Sequence, residues 1–104
     1  MATERVQRKT ADEILSILRV ELPKVRQRYG VRSLGLFGSV VRREDRSDSD
    51  IDILVDFERA PTFFQFVELE DDLSKLLDFR VDLVMRSALK PRIGERILSE
   101  VLPV

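Results

Sequence analysis

Asp50 and Asp52 lie two residues apart in the segment DIDILVDF, residues 50–57, and Asp82 recurs in a second short apolar segment, FRVDLVM, residues 79–85. If both segments are strands, Asp50 and Asp52 leave one face about 7 Å apart along it. Carboxylates at that spacing can share bound divalent cations, and Asp82 on a neighbouring strand would complete a cluster of three. An all-oxygen donor set suits Mg²⁺ or Mn²⁺ rather than zinc. Three like charges repel at neutral pH, so cations are their natural neutraliser. Upstream, Gly38-Ser39 closes a third apolar segment, VRSLGLF, residues 31–37. Glycine lets backbone approach an anion, Ser39 offers a hydroxyl, and amides at a helix start point outward, which together would make a phosphate cradle. Arg42 and Arg43 follow within a turn and could hold phosphate oxygens. Singly, each feature has an ordinary reading: a surface carboxylate paired with arginine, a strand-ending turn, a solvated pair of cations. The combination is far more specific than its parts.

Composition narrows the chemistry further. The 104 residues fit one domain, and they include neither Cys nor His. Thiolate metal sites, disulfides, imidazole catalysis and Ser-His-Asp triads are therefore excluded. The net charge of −1 argues against a general nucleic-acid binder. It hides an asymmetry, because residues 1–46 carry a net +5 and residues 47–104 a net −6. No apolar run approaches the roughly 20 residues that span a bilayer. The first residues, MATERVQRK, lack an apolar signal core. A cytoplasmic location is expected.

These groups need elements to position them. Residues 1–9 read as a flexible polar tail. Thr10 and Glu13 read as a capping box, followed by Ile14, Leu18, Leu22, Val25 and Tyr29 at helical spacing. Pro23 predicts a kink or break near Leu22, and Gly30 a left-handed helix end. Residues 31–37, 50–57 and 79–85 alternate as strands. Their apolar faces carry Leu34 and Leu36; Ile51, Ile53 and Val55; and Val81, Leu83 and Met85. Pro61 and Thr62 open a second helix with Phe66, Leu69, Leu73 and Leu76 or Leu77 as its stripe. Residues 87–102 are weakly helical, interrupted by Pro91 and Gly94. The economical fold is α+β: a three-stranded mixed sheet with helices packed on one face. The opposite face, bearing Asp50, Asp52 and Asp82, is then open.

With these residues in place, GSVVR at 38–42, SDSDIDILV at 47–55 and VDLV at 81–84 together resemble the signature of the DNA-polymerase-beta-like nucleotidyltransferases. More narrowly, they resemble the minimal nucleotidyltransferases (MNT domains) that act as antitoxins to HEPN-domain toxins. The resemblance runs from about residue 10 to the C-terminus, making residues 10–104 a single minimal nucleotidyltransferase domain. It implies a polymerase-beta-like fold, with Gly38 and Ser39 binding the nucleotide triphosphate. It implies that Asp50 and Asp52 ligate two metal ions, and that Asp82 ligates the catalytic ion and assists deprotonation of the nucleophile. Arg42 matches the family's usual arginine after Gly-Ser. Two positions depart from the pattern: Arg43 stands where glycine is usual, and Asp78 replaces a frequent glycine before the third strand. Asp78 tolerates left-handed geometry better than most residues.

The implied activity is Mg²⁺-dependent transfer of AMP from ATP to a tyrosine hydroxyl of a HEPN ribonuclease toxin, as a protein adenylyltransferase. Larger relatives carry an added helical domain for the acceptor, and a chain ending at Val104 leaves no room for one. A protein partner is therefore expected to bring the acceptor, with no membrane and no direct nucleic-acid binding. Two other readings stand beside this one: an antitoxin that neutralises by contact with an idle site, and an adenylyltransferase for a small molecule.

Overall fold

The computed structural model describes residues 8–42 and 49–104. Helix α1 spans Ala11–Tyr29, strand β1 Val31–Phe37, strand β2 Ile51–Phe57, helix α2 Phe63–Leu77 and strand β3 Val81–Met85. A single 3-10 turn at Arg86–Ala88 leads to helix α3, Pro91–Glu100, and a short strand β4, Leu102–Pro103. The sheet order is β3-β2-β1-β4. β1 runs antiparallel to both β2 and β4, while β2 and β3 are parallel and joined through α2. Among the described residues no helix is long and apolar enough to cross a membrane.

The three expected strands are present, and the sheet is mixed as read from the sequence. It has four strands rather than three. The fourth, Leu102–Pro103, is only two residues long, too short for an alternation to show in sequence. It pairs with Leu36 and Gly35 of β1. A kink or break was expected near Leu22; α1 is not broken there and runs on through Pro23 to Tyr29. Pro23 and Arg19 are both exposed, so water can serve the Arg19 carbonyl that loses its partner. The weakly helical stretch near the C-terminus resolves into α3, with Pro91 in the first turn, where proline is tolerated.

α1 and α2 lie on one face of the sheet. Their stripes, Ile14, Leu15 and Leu18 from α1 and Leu69, Leu73 and Leu77 from α2, bury against Leu34, Leu36, Ile51, Ile53, Val55, Val81 and Leu83. A bulge between Val31 and Ser33 changes the parity of β1. It turns Val31 into the core and leaves Arg32 exposed, where strict alternation from Leu34 would bury the arginine. Both major helices begin with complete capping boxes, Thr10 with Glu13 and Thr62 with Gln65. Both end in left-handed residues, at Gly30 (φ 68°) and Asp78 (φ 51°).

Candidate active site

Strand register assembles the site on the sheet face away from α1 and α2. Parallel pairing of β2 with β3 places Asp52 directly beside Asp82, and antiparallel pairing with β1 places Phe37 beside Asp52. Gly38 therefore follows immediately across from the Asp52 carboxylate. Its φ is 82°, and a Cβ added there would overlap that carboxylate. Glycine is required both for the backbone turn and for the close approach. Ser39 is 7% exposed, the one buried polar side chain among the described residues. Val40 is buried in the core behind it. The Gly38 carbonyl accepts from the amides of Val41 (3.1 Å) and Arg42 (3.2 Å), closing a single tight turn.

Two side chains of α2 fix Asp82. β3 is an edge strand, and its outward amides on either side of Asp82 are taken by the helix. The Val81 amide donates to Ser74 Oγ at 3.1 Å, and the Leu83 amide donates to Glu70 Oε2 at 2.9 Å. These bonds satisfy the edge and hold Asp82 in register with Asp52. Neither Glu70 nor Ser74 is distinguishable from the polar stripe of α2 in sequence.

The electrostatics are those of crowded acids. Burial pushes the Asp52 carboxyl up to about 6, and the charges of Asp82 and Asp50 push in the same direction. Arg42 and Arg8 pull against them. Asp50 lies just ahead of β2 and accepts from Arg80 Nε at 2.7 Å. Arg42 donates to Glu100 Oε1 at 3.0 Å, and the Gly38 amide donates more weakly to the same oxygen at 3.4 Å. A carboxylate from the end of α3 thus sits on two of the groups expected to meet phosphate. Glu100 and Arg8 were not singled out in the sequence, since neither belongs to a spacing pattern. Arg43 lies outside the described residues.

The donor set fits a hard divalent cation. Asp52 and Asp82 present oxygen donors side by side, and burial together with the neighbouring acids disfavours the ionised Asp52 carboxyl, a penalty a cation would offset. Among the described residues no group of three acidic side chains is arranged to hold a metal ion as it stands. Asp50 would join the other two on leaving Arg80, an exposed partner whose ion pair is weak.

A glycine pressed on an acid, a buried serine beside it and a second acid in register make up the candidate site. One family profile covers all of these residues. That profile, described as a nucleotidyltransferase domain, matches residues 19–103. The chain belongs to the nucleotidyltransferase domain family. It is 53% identical over 95 residues to the protein adenylyltransferase MntA of Thermococcus cleftensis, covering 91% of this chain and 96% of the relative. A structure described as a minimal nucleotidyltransferase superposes with a TM-score of 0.74 at 39% identity, covering 88% of this chain and 94% of the other. A crystal structure of a toxin–antitoxin with AMP-PNP matches with a TM-score of 0.64 at 25% identity, covering 88% of this chain and 69% of the other. The polymerase-beta-like fold and the enzyme class expected from the sequence are those of the family.

Proposed function

We propose that this nucleotidyltransferase transfers AMP from ATP to a tyrosine hydroxyl of a HEPN ribonuclease toxin in the cytoplasm, and that the transfer neutralises the toxin. The observation that carries this reading is the Gly38–Asp52–Asp82 juxtaposition with Ser39 buried beside it. The adenylyltransferase relative and the AMP-PNP-bound toxin–antitoxin neighbour support it. In the reaction the acceptor oxygen attacks the α-phosphorus, the bond to the bridging oxygen breaks, pyrophosphate leaves and the hydroxyl proton passes to solvent. Asp50, Asp52 and Asp82 would hold two Mg²⁺ ions, which supply charge neutralisation for the triphosphate and a lowered pKa for the attacking hydroxyl. Gly38 and Ser39 hold the phosphates against the sheet end. Arg42 exchanges Glu100 for an outer phosphate.

The chain's own tyrosine is a poor acceptor. Tyr29 is the single tyrosine. It is buried, and its hydroxyl donates to Asp72. Burial first, then this hydrogen-bonded carboxylate, raises its pKa above the usual phenol range. It sits just before β1, whereas Gly38 follows the far end of that strand, roughly 20 Å away. The acceptor on this reading comes from another chain.

The test is the intact mass of a purified partner toxin after incubation with ATP, Mg²⁺ and substoichiometric enzyme. Mass should rise in steps of one AMP, and the Asp50/Asp52/Asp82 triple Asn variant should add none. An unmodified toxin with the wild type, together with full neutralisation by the triple variant, would leave contact inhibition as the function. Arg42→Ala should weaken ATP binding about tenfold, the scale of one charge-assisted contact. AMP binding should change little. Equal losses for ATP and AMP in calorimetry would remove Arg42 from the outer phosphates.

A further inference from the structure

The three residues ahead of α1 are tied to the end of α2 on one side and to the candidate site on the other. Lys9 Nζ donates to the Leu77 carbonyl at 2.9 Å, at the end of α2, where the helix dipole favours a cation. Thr10 caps α1. Held between these anchors and the site, Arg8 Nη1 donates to Ser39 Oγ at 2.9 Å and to the Ser49 carbonyl at 3.2 Å. One guanidinium nitrogen therefore bridges the beginning and the end of the connection between β1 and β2. Ser39 is the buried hydroxyl of the phosphate turn, and Ser49 immediately precedes Asp50. A cation two residues before a helix cap opposes the helix dipole, so the stability of α1 does not explain an arginine here.

We infer that Arg8 is a further nucleotide-binding residue, a guanidinium that the N-terminal segment delivers to the phosphates beside Ser39. The inference rests on the nucleotidyltransferase reading of the site. A guanidinium presents five donors in a planar fork. It can grip phosphate oxygens in two directions where a lysine gives a point charge. With Arg42, bonded to Glu100 in the fold described, the triphosphate then meets two arginines from distant parts of the chain. The contact to Ser39 then orients Arg8 before nucleotide arrives.

The experiment compares wild type, Arg8→Ala, Arg8→Lys and Lys9→Ala by calorimetric titration with ATP and with AMP in the presence of Mg²⁺, alongside thermal melting. Arg8→Ala should weaken ATP about tenfold and AMP less than about threefold. Its melting temperature should stay close to wild type. Arg8→Lys should fall between the two, because charge is kept and the fork is lost. Lys9→Ala should lower the melting temperature more than Arg8→Ala does, since it removes the anchor on α2. Wild-type ATP affinity in Arg8→Ala overturns the inference. So does a parallel loss for ATP and AMP that tracks a lower melting temperature, which would make Arg8 a structural strap. A wild-type protein that binds no nucleotide fails at the underlying reading instead, so the two failures are told apart.

Discussion

Asp52→Asn is expected to cut AMP transfer more than a hundredfold and, in the same protein, to raise the melting temperature at neutral pH. The two effects share one cause. Replacing the carboxylate with an isosteric amide removes a charge and, on the proposed reading of the site, a cation ligand, a loss of at least ~3 kcal/mol from the transition state. In the metal-free fold that same charge is a burden. The Asp52 carboxyl rises from 3.8 to about 6 because burial, Asp82 and Asp50 all disfavour its ionised form. A group whose pKa is higher in the folded than in the unfolded state stabilises the fold fully at low pH. That contribution is lost as pH climbs through the folded value. The wild type in chelator should therefore lose stability between about pH 4 and pH 6.5, relative to a flatter Asp52→Asn profile. The partly solvated position screens the effect, leaving on the order of 1–2 kcal/mol. For a domain of this size that is several degrees at pH 7. Mg²⁺ should raise the wild-type melting temperature and leave the variant unmoved. Scanning fluorimetry across pH, with and without Mg²⁺, checks both arms. A variant no more stable than wild type at pH 7 would mean the acids are not crowded. Asp56 also lies on the open side of β2, but it is flanked by Arg32 and Arg86. Asp56→Asn is the control expected to keep full activity.

The site was legible where it follows from parity and register, and illegible where it depends on segments meeting through space. Asp50, Asp52 and Asp82 announce themselves because a strand with one apolar face assigns its other residues to the opposite side. Once β2 and β3 pair in parallel, Asp52 must lie near Asp82. Gly30, Thr10 and Thr62 were readable for a similar reason, since caps are local devices with local signatures. The expected break at Pro23 did not occur because tertiary burial of Leu18 and Tyr29 on either side holds α1 together. β4 escaped detection because two residues carry no periodicity. Arg8 and Glu100 lie 31 and 62 residues from Ser39 and Gly38 in sequence, and nothing in their neighbourhoods encodes that meeting. Glu70 and Ser74 read as ordinary helix surface, yet their bonds to the β3 backbone hold Asp82 in place.

Gly38→Ala is expected to lose activity about as completely as Asp52→Asn, and to lose stability where Asp52→Asn gains it. Two left-handed glycines in the described fold separate the causes. At Gly30 φ is 68° and a Cβ would meet nothing within 4 Å. Gly30→Ala therefore bears only the backbone penalty, roughly 1 kcal/mol, and should retain full AMP transfer. At Gly38 the backbone penalty is similar, but the new methyl would occupy the space of the Asp52 carboxylate. Either that carboxylate turns away from Asp82 or β1 and β2 part at their ends, and both outcomes dismantle the acid pair. Gly38→Ala should thus melt lower than Gly30→Ala, and its transfer rate should fall more than about a hundredfold. Trimming the obstructing group tests the mechanism directly. Adding Asp52→Ala to Gly38→Ala should restore part of the lost stability with no return of activity, a coupling expected of side chains in direct contact. If Gly38→Ala instead matches Gly30→Ala in both melting temperature and transfer rate, the close approach of Gly38 to Asp52 is not what shapes the site.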